Sequence, residues 1–281
     1  MVEKFHLACV MGWPVMHSRS PRMHNHWFSQ TGLRGAYLPL AIRPDGIGSA
    51  LRALPALGFA GCNLTIPHKQ TAMAFLDEVD EVSRIIGAVS CVVVRKDGRL
   101  FGTNNDWRGF LGNLREAQPL WSAAKGPSVV LGAGGGARAV VYALLQSGVD
   151  HIRLVNRGIE RAAELAAEFG SQLEVVPWKE RSSALDRASL LVNTTSLGMV
   201  GQPSLDLSLR DLPVSAVVAD IVYAPLETQL IATAKLRGNP VVSGLGMLLH
   251  QGPPAWDLWF GVTPKVTPEL RRLMEESIRA A

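Results

Sequence analysis

Val129-Val130-Leu131-Gly132-Ala133-Gly134-Gly135-Gly136-Ala137 is the stretch on which the fold turns: an apolar run enters glycines, and an apolar-periodic helix over Ala139 to Gln146 follows. A glycine cluster at a strand end is often only a tight turn, but a buried strand that passes through it into a helix favours phosphate binding. Glycine allows a tight turn and close approach of the main chain, and the helix N-terminus offers free N–H groups and a partial positive charge to a pyrophosphate. Gly132, Ala133, Gly134, Gly135, Gly136 and Ala137 are therefore candidate dinucleotide contacts. The next strand, Ile152 to Val155, ends in Asn156-Arg157, where an NAD-specific fold usually carries an acid for the ribose hydroxyls. Arg157 and Arg161 supply positive charge for a 2′-phosphate, which points to NADP; two solvated arginines at a helix start are the plain alternative.

Outward from this motif the same rhythm holds in both directions. Short apolar runs predict strands near 5–11, 36–42, 59–66, 89–95, 128–132, 152–155, 189–193 and 216–221, with helices between most of them. Lys96-Asp97-Gly98 predicts a hairpin turn into a short return strand at 99–102. The pattern is α/β. A helix from about Trp107 to Gln118 leads into Pro119 to Pro127, a Pro-, Ser- and Gly-containing connector that reads as a join between domains. A length of 281 residues allows two such domains.

Composition narrows the function classes. Apolar residues make up 47% and charged residues 19%, with no run long enough to span a bilayer, so neither disorder nor a membrane span is expected. The net charge of +4 comes from Lys and Arg that are scattered and not interleaved with aromatics, which argues against nucleic acid and leaves small anionic substrates and phosphates as partners. Cys9, Cys62 and Cys91 form no CxxC pair and sit in apolar stretches, as reduced thiols of a cytoplasmic protein do. Glu3, Lys4 and His6 precede an apolar run too short and wrongly flanked for a signal peptide, so export is not expected.

Three further stretches carry polar groups at strand ends. In Gly12-Trp13-Pro14-Val15-Met16-His17-Ser18-Arg19-Ser20-Pro21, Ser20 is a good N-cap and Pro21 a good first helical residue. The hydroxyls of Ser18 and Ser20 beside that helix start suit a carboxylate, although a merely capped helix reads equally well. His17, His24 and His26 have no acid or cysteine at ligand spacing, so no metal is expected. Asn63, Thr65 and Lys69 of Asn63-Leu64-Thr65-Ile66-Pro67-His68-Lys69 are candidates to converge on one ligand face, and Gly102-Thr103-Asn104-Asn105-Asp106 closes the first domain, although a Lys69–Asp106 pairing is not read from composition.

Taken in order, these pieces resemble the shikimate dehydrogenase family over nearly the whole chain. The resemblance runs through G-x-P-x-x-H-S-x-S-P-x-x-H-N, N-x-T-x-P-x-K at Asn63 to Lys69, and Asn104 with Asp106. It continues through G-A-G-G at 132–135, Asn156-Arg157, N-x-T-S-x-G-M at Asn193 to Met199, and G-L-G-M-L-x-x-Q at Gly244 to Gln251. It implies an N-terminal mixed-sheet α/β substrate domain, residues 1–106 with 244–281, and a Rossmann-like NADP-binding domain, residues 107–243, with the substrate in a cleft between them. The C-terminal helices, including one over Pro268 to Arg279, would return to the first domain. Lys69 and Asp106 would form the catalytic pair; Ser18, Ser20 and Thr65 would hold a carboxylate; Asn63, Ser90, Tyr223 and Gln251 would contact substrate. Thr194, Thr195, Ser196, Gly244 and Met247 would lie along the cofactor.

The implied chemistry is reversible reduction of 3-dehydroshikimate by NADPH. A reduced ketone leaves an alkoxide, which needs a nearby positive charge and a proton donor, and Lys69 offers both. The sequence departs from the family at four places. Ser90-Cys91 stands where Asn-Thr is usual, Asn105 replaces a threonine, Gly158 replaces Thr or Ser, and Gly252-Pro253-Pro254 interrupts a segment normally helical. Serine lacks the forked donor and acceptor of an amide. A paralogue acting on quinate or an aminoshikimate therefore stays open beside the main expectation; a non-catalytic dinucleotide-binding sensor is a third reading, against which the presence of both Lys69 and Asp106 argues, and a monomer or homodimer is expected.

Overall fold

Alternate residues of the strands in the second half of the chain are apolar on both sides, and this decides their arrangement. Val129, Leu131, Leu191 and Val218 enter one buried cluster, whereas Val130, Leu190, Val192 and Ala219 enter another. Strands buried on two faces favour a parallel sheet covered by helices. The computed structural model, in which residues 5–280 are described, has that sheet and a second one. Glu3 and Lys4, on which the reading of the N-terminal flank rested, lie outside the described residues.

The chain divides into two compact units: residues up to Asn105 with those from Gln251 onward, and Asp106 to His250. The first unit contains β1 (His6–Gly12), α1 (Ser20–Thr31), β2 (Gly35–Ala41), α2 (Ile47–Ala53), β3 (Phe59–Leu64) and α3 (His68–Thr71). It continues through β4 (Glu78–Val79), α4 (Glu81–Ile86), β5 (Cys91–Val94) and β6 (Leu100–Thr103). The second unit contains α5 (Asp106–Ala117), β7 (Ser128–Leu131), α6 (Gly135–Gln146), β8 (Ile152–Asn156), α7 (Ile159–Phe169) and β9 (Leu173–Pro177). Then come β10 (Leu190–Asn193), β11 (Val217–Asp220), α8 (Gln229–Arg237) and β12 (Val241–Val242). The second division falls inside α9 (Leu245–Phe260), and α10 (Pro268–Arg279) belongs to the first unit.

The first sheet is mixed, in the order β2-β1-β3-β5-β6-β4, with β1 parallel to β2 and β3, and β5 antiparallel to β3 and β6. Cys9, Met11, Cys62 and Leu64 on one face pack with Leu51 and Leu54 around α2. An aromatic layer formed by Trp27 and Phe28 of α1 with Trp256, Trp259 and Phe260 of α9 completes this unit. Each of its three indole N–H groups finds an acceptor: Lys265 O for Trp27, His24 Nδ1 for Trp256 and Val92 O for Trp259. Buried indoles need such partners. The second sheet is entirely parallel, ordered β12-β11-β10-β7-β8-β9. Its strand order reverses direction between β7 and β10, where open α/β sheets bind ligands.

Several expectations need correction. Helix α1 has Arg19, not Ser20, at its N-cap; Ser20 is already helical, and its N–H donates to Ser18 Oγ at 3.3 Å. Helix α6 begins at Gly135 instead of Ala139, so the last two glycines form its first turn. Gly252-Pro253-Pro254 does not interrupt α9, which runs through both prolines. Gly252 is needed there, because a Cβ would come within 2.6 Å of the Trp27 ring. Strands β4, β9 and β12 were not expected; β4 and β12 have two residues each, too few to show a period. The connector holds a short 3-10 turn over Ala123–Lys125. No helix of the described residues is long and apolar enough to cross a membrane.

Candidate functional site

Of the residues expected to hold substrate, Ser18 and Ser20 follow the carboxyl end of β1, and Asn63 and Thr65 lie at the carboxyl end of β3. Thr65 N donates to Met11 O at 3.0 Å and Trp13 N to Ile66 O at 3.0 Å, so the two strand exits leave side by side. A Cβ on Gly12 would lie 2.4 Å from Thr65 Cγ2, and glycine is what lets the exits approach. The loop carrying Ser18 turns back through Ser18 N to Val15 O, 2.9 Å, and delivers Ser18 half-buried and Ser20 buried at the start of α1.

Lys69 stands on α3, a single turn held at both ends. His68 N donates to Thr65 O at 2.8 Å, the His68 ring bonds Ile42 O through Nε2 at 2.8 Å, and Val89 N donates to Lys69 O at 2.7 Å. The side chain of Lys69 is half-buried. One bond closes the turn on Thr65 and two tie it to other segments, at Ile42 and Val89, which leaves the backbone little freedom and favours a defined ammonium position.

The segment leading to Asp106 is pinned as firmly. Thr103 Oγ1 donates to Asp80 Oδ2 at 2.6 Å, Asn104 Nδ2 to Ala88 O at 2.9 Å, and Asn105 N to Ser90 Oγ at 2.9 Å. The Ser90 hydroxyl oxygen thus supports the backbone one residue before Asp106, and its hydrogen remains able to donate elsewhere. Ser90 is buried, and the equally buried Asn105 carboxamide has no partner for Nδ2. Asp106 is 2% exposed in the first turn of α5, where an acid suits the helix dipole.

In the second unit two groups of predicted dinucleotide contacts, after β7 and after β10, flank the reversal of strand order. Gly132 leaves β7 at φ +109°, its N–H donates to Val155 O at 2.8 Å, and a Cβ would meet Thr194 Oγ1 at 2.6 Å. Two independent constraints therefore demand glycine there. Gly134, the N-cap of α6, faces open space, with nothing within 4 Å of where a Cβ would stand. That space lies at a helix N-terminus, the geometry a diphosphate fits. Ala133 and Ala137 bracket the turn, and Gly135 and Gly136 expose the first helical N–H groups.

The loop after β10 is organised by Asn193 and by an acid that sequence reasoning missed. Asn193 Oδ1 accepts from Thr195 N at 3.1 Å and Thr195 Oγ1 at 2.8 Å, and its Nδ2 donates to Leu197 O and Asp220 Oδ1. Thr194 bonds Leu131 O through both N and Oγ1. Ser196 is left exposed. Asp220 also accepts from Thr228 Oγ1 at 2.7 Å and Val222 N at 3.0 Å. Burial nonetheless outweighs these donors and lifts its pKa to about 6. An acid ending the apolar run Val217-Val218-Ala219 was the available signal.

Past β8, Asn156 Nδ2 donates to Gly158 O at 2.8 Å and closes the turn into α7. Arg157 and Arg161 are both exposed and form no ion pair among the described residues. Tyr223 is half-buried three residues beyond Asp220. A Cβ on Gly244 would come within 2.5 Å of the Ile221 and Val222 carbonyl oxygens, so this glycine is required by the chain beside it. Met247 is buried on α9, and Gln251 is half-buried one turn further on. No group of three or more His, Cys, Asp and Glu side chains among the described residues is arranged to hold a metal.

Residues 10–92 match the family model described as shikimate dehydrogenase substrate binding domain, and residues 117–200 the model for shikimate / quinate 5-dehydrogenase. An NADP(+)-dependent shikimate dehydrogenase of Paramagnetospirillum magneticum is 56% identical over 271 residues, covering 96% of this chain and 98% of that protein. The Thermus thermophilus shikimate 5-dehydrogenase solved with NADP(H) and shikimate superposes with a TM-score of 0.84 at 38% identity, covering 98% of this chain and 99% of the other. Quinate dehydrogenase from Corynebacterium glutamicum, solved with NAD, superposes with a TM-score of 0.89 at 30% identity, covering 97% and 100%.

Proposed function

The chain belongs to the shikimate dehydrogenase family, and on that premise we propose that it reduces 3-dehydroshikimate to shikimate with NADPH, reversibly. The observation that carries this reading is the turn of Lys69, closed on Thr65 and tied to Ile42 and Val89 just past the exit of β3. NADPH supplies the hydride when bound. Hydride addition to the C3 carbonyl carbon places negative charge on its oxygen, and the Lys69 ammonium stabilises that charge and delivers the proton. In the reverse direction the neutral lysine removes the hydroxyl proton. Asp106 orients the ammonium and accepts from the neighbouring hydroxyl. Ser18, Ser20 and Thr65 hold the carboxylate; Asn63, Ser90, Tyr223 and Gln251 bind ring hydroxyls or the carboxylate.

For the dinucleotide, the open space at Gly134 and the free N–H groups of α6 suit the pyrophosphate, with Thr194, Thr195 and Ser196 beside it. The exposed Arg157 and Arg161 suit the 2′-phosphate, and Gly244 and Met247 the nicotinamide. The substrate domain in this reading comprises 1–106 with 244–281, and the dinucleotide domain 107–243. Three buried free thiols fit a cytoplasmic enzyme, monomeric or homodimeric, on the route to chorismate and the aromatic amino acids. Steady-state rates on shikimate, quinate and aminoshikimate with NADP and NAD test the proposal. Shikimate with NADP is expected to give the highest kcat/KM. A higher value on quinate would reassign the substrate, and no turnover on any of them would leave a dinucleotide-binding sensor.

A further inference from the structure

Asn63 is gripped from two sides. Its Nδ2 donates to Ser90 O at 3.2 Å on β5's side, and its Oδ1 accepts from the hydroxyl of Tyr37 at 2.7 Å from the other. The orientation of this amide follows from what its neighbours can do. A main-chain carbonyl only accepts, so the nitrogen must face Ser90; the oxygen then faces Tyr37, and the phenol has to donate. After both bonds Asn63 keeps one N–H and one oxygen lone pair, and the residue is half-exposed.

The sheet is built to let Tyr37 make this reach. Tyr37 on β2 pairs with Ala8 of β1, and Ala8 pairs with Gly61 of β3. Both neighbours are small, and Asn63 lies two residues past Gly61 on the same face. A Cβ on Gly61 would lie 2.3 Å from Trp259 Nε1, so that position admits no larger residue. Tyr37 itself is clamped: Asn25 takes its N–H at 2.8 Å and donates to its carbonyl at 3.0 Å. His24 stacks on its ring at 4.0 Å and 4° and accepts from Trp256 Nε1 at 2.7 Å. Burial pushes the phenol well above its ordinary range, so the hydroxyl keeps the proton it donates.

We propose that Tyr37 is a positioning residue: its hydroxyl fixes the Asn63 carboxamide in the one orientation that offers a free N–H and a free lone pair to a ring hydroxyl of the substrate. This rests on the assignment of Asn63 as a substrate contact. A hydroxyl donates one hydrogen and accepts another, so an amide fixed in this way binds it through both atoms. A rotated amide would meet Ser90 O with its own oxygen and lose the arrangement.

Tyr37→Phe keeps the ring and its stack and removes only the donor. It is expected to raise KM for shikimate roughly five- to tenfold, the worth of one lost hydrogen bond, with KM for NADP unchanged. KM does not depend on how much of the enzyme is folded, so a loss of yield does not imitate the effect. Asn63→Ala should raise KM as well, and adding Tyr37→Phe to it should change nothing more. Should Tyr37→Phe fail to fold, Asn25→Ala loosens the same tyrosine through its backbone and should raise KM for shikimate in the same selective way. An unchanged KM in the folded tyrosine variant, or in Asn25→Ala where it stands in, alongside a raised one in Asn63→Ala overturns the role of Tyr37 and leaves Asn63 a contact. Unchanged KM in the tyrosine and Asn63 variants overturns both, as does a Tyr37→Phe increase shared equally by NADP for the positioning role.

Discussion

The two units place their candidate ligand contacts on different materials. In the substrate unit the candidate contacts are side chains, each braced by a bond to another segment: Asn63 by Tyr37 and Ser90 O, the Asn105 backbone by Ser90, the Lys69 turn by His68 and Val89. In the unit proposed for the dinucleotide the candidate contacts are chiefly main chain, a glycine turn and a helix start, and a network of Asn193 and Asp220 braces the loop after β10. A diphosphate is recognised by any array of N–H groups, whereas a ring with several hydroxyls needs donors and acceptors in a set pattern. Side-chain sites of the second kind should be sensitive to single substitutions, and backbone sites tolerant except at their glycines.

Lys69→Ala should mark the extreme of that contrast. Removal of a general acid and base is expected to lower kcat by about 10²–10⁴-fold while the Kd for NADPH, read by fluorescence quenching, stays the same. A near wild-type kcat would break the comparison at its centre. Next in size, Arg157→Ala should weaken NADPH by about 1.5–3 kcal/mol and leave NADH almost untouched. Equal losses for both cofactors would make Arg157 a folding residue.

The units should also answer pH in opposite directions. Burial lowers the pKa of His24 in the first unit from 6.5 to about 3, so the unfolded chain binds a proton there that the folded chain does not. Its contribution to stability is present above about 6.5 and falls as pH drops toward 3. Asp220 in the second unit is raised from 3.8 to about 6; the folded form holds the extra proton, and stability falls as pH climbs from about 4 to 6. Hydrogen exchange between pH 4 and 6 should show protection of β1 to β3 rising and that of β10 and β11 falling, with Asp220→Asn flattening only the second trend. Parallel trends in the two units would refute the assignment.

The smallest effect is expected at Ser90. Ser90→Asn can keep an acceptor for Asn105 N–H and add a donor, and should raise kcat/KM for shikimate about two- to fivefold with quinate unchanged. A fall on shikimate would show that the buried position has no room for the amide.

Much of this was legible without coordinates. The glycine turn after an apolar strand, the alternation of strands and helices, and the order of the polar motifs are local properties: φ preferences, burial periods and caps are set by neighbours in sequence. Helix α10, expected from the family resemblance, carries such local signals too: Thr267 caps Leu270 N, and Leu270, Met274 and Ile278 form a buried apolar stripe. What the sequence left open depends on distant partners. Strands of two residues have no period, and Pro253 and Pro254 stay helical in α9, which packs Gly252 against Trp27 from the far end of the chain. Tyr37 reads as an ordinary core residue of a strand, and Asp220 as an acid at a strand end. Their roles arise only when β2 lies two strands from β3 and when β10 lies beside β11, since a hydrogen-bond network is a property of positions in space and not of spacing along the chain.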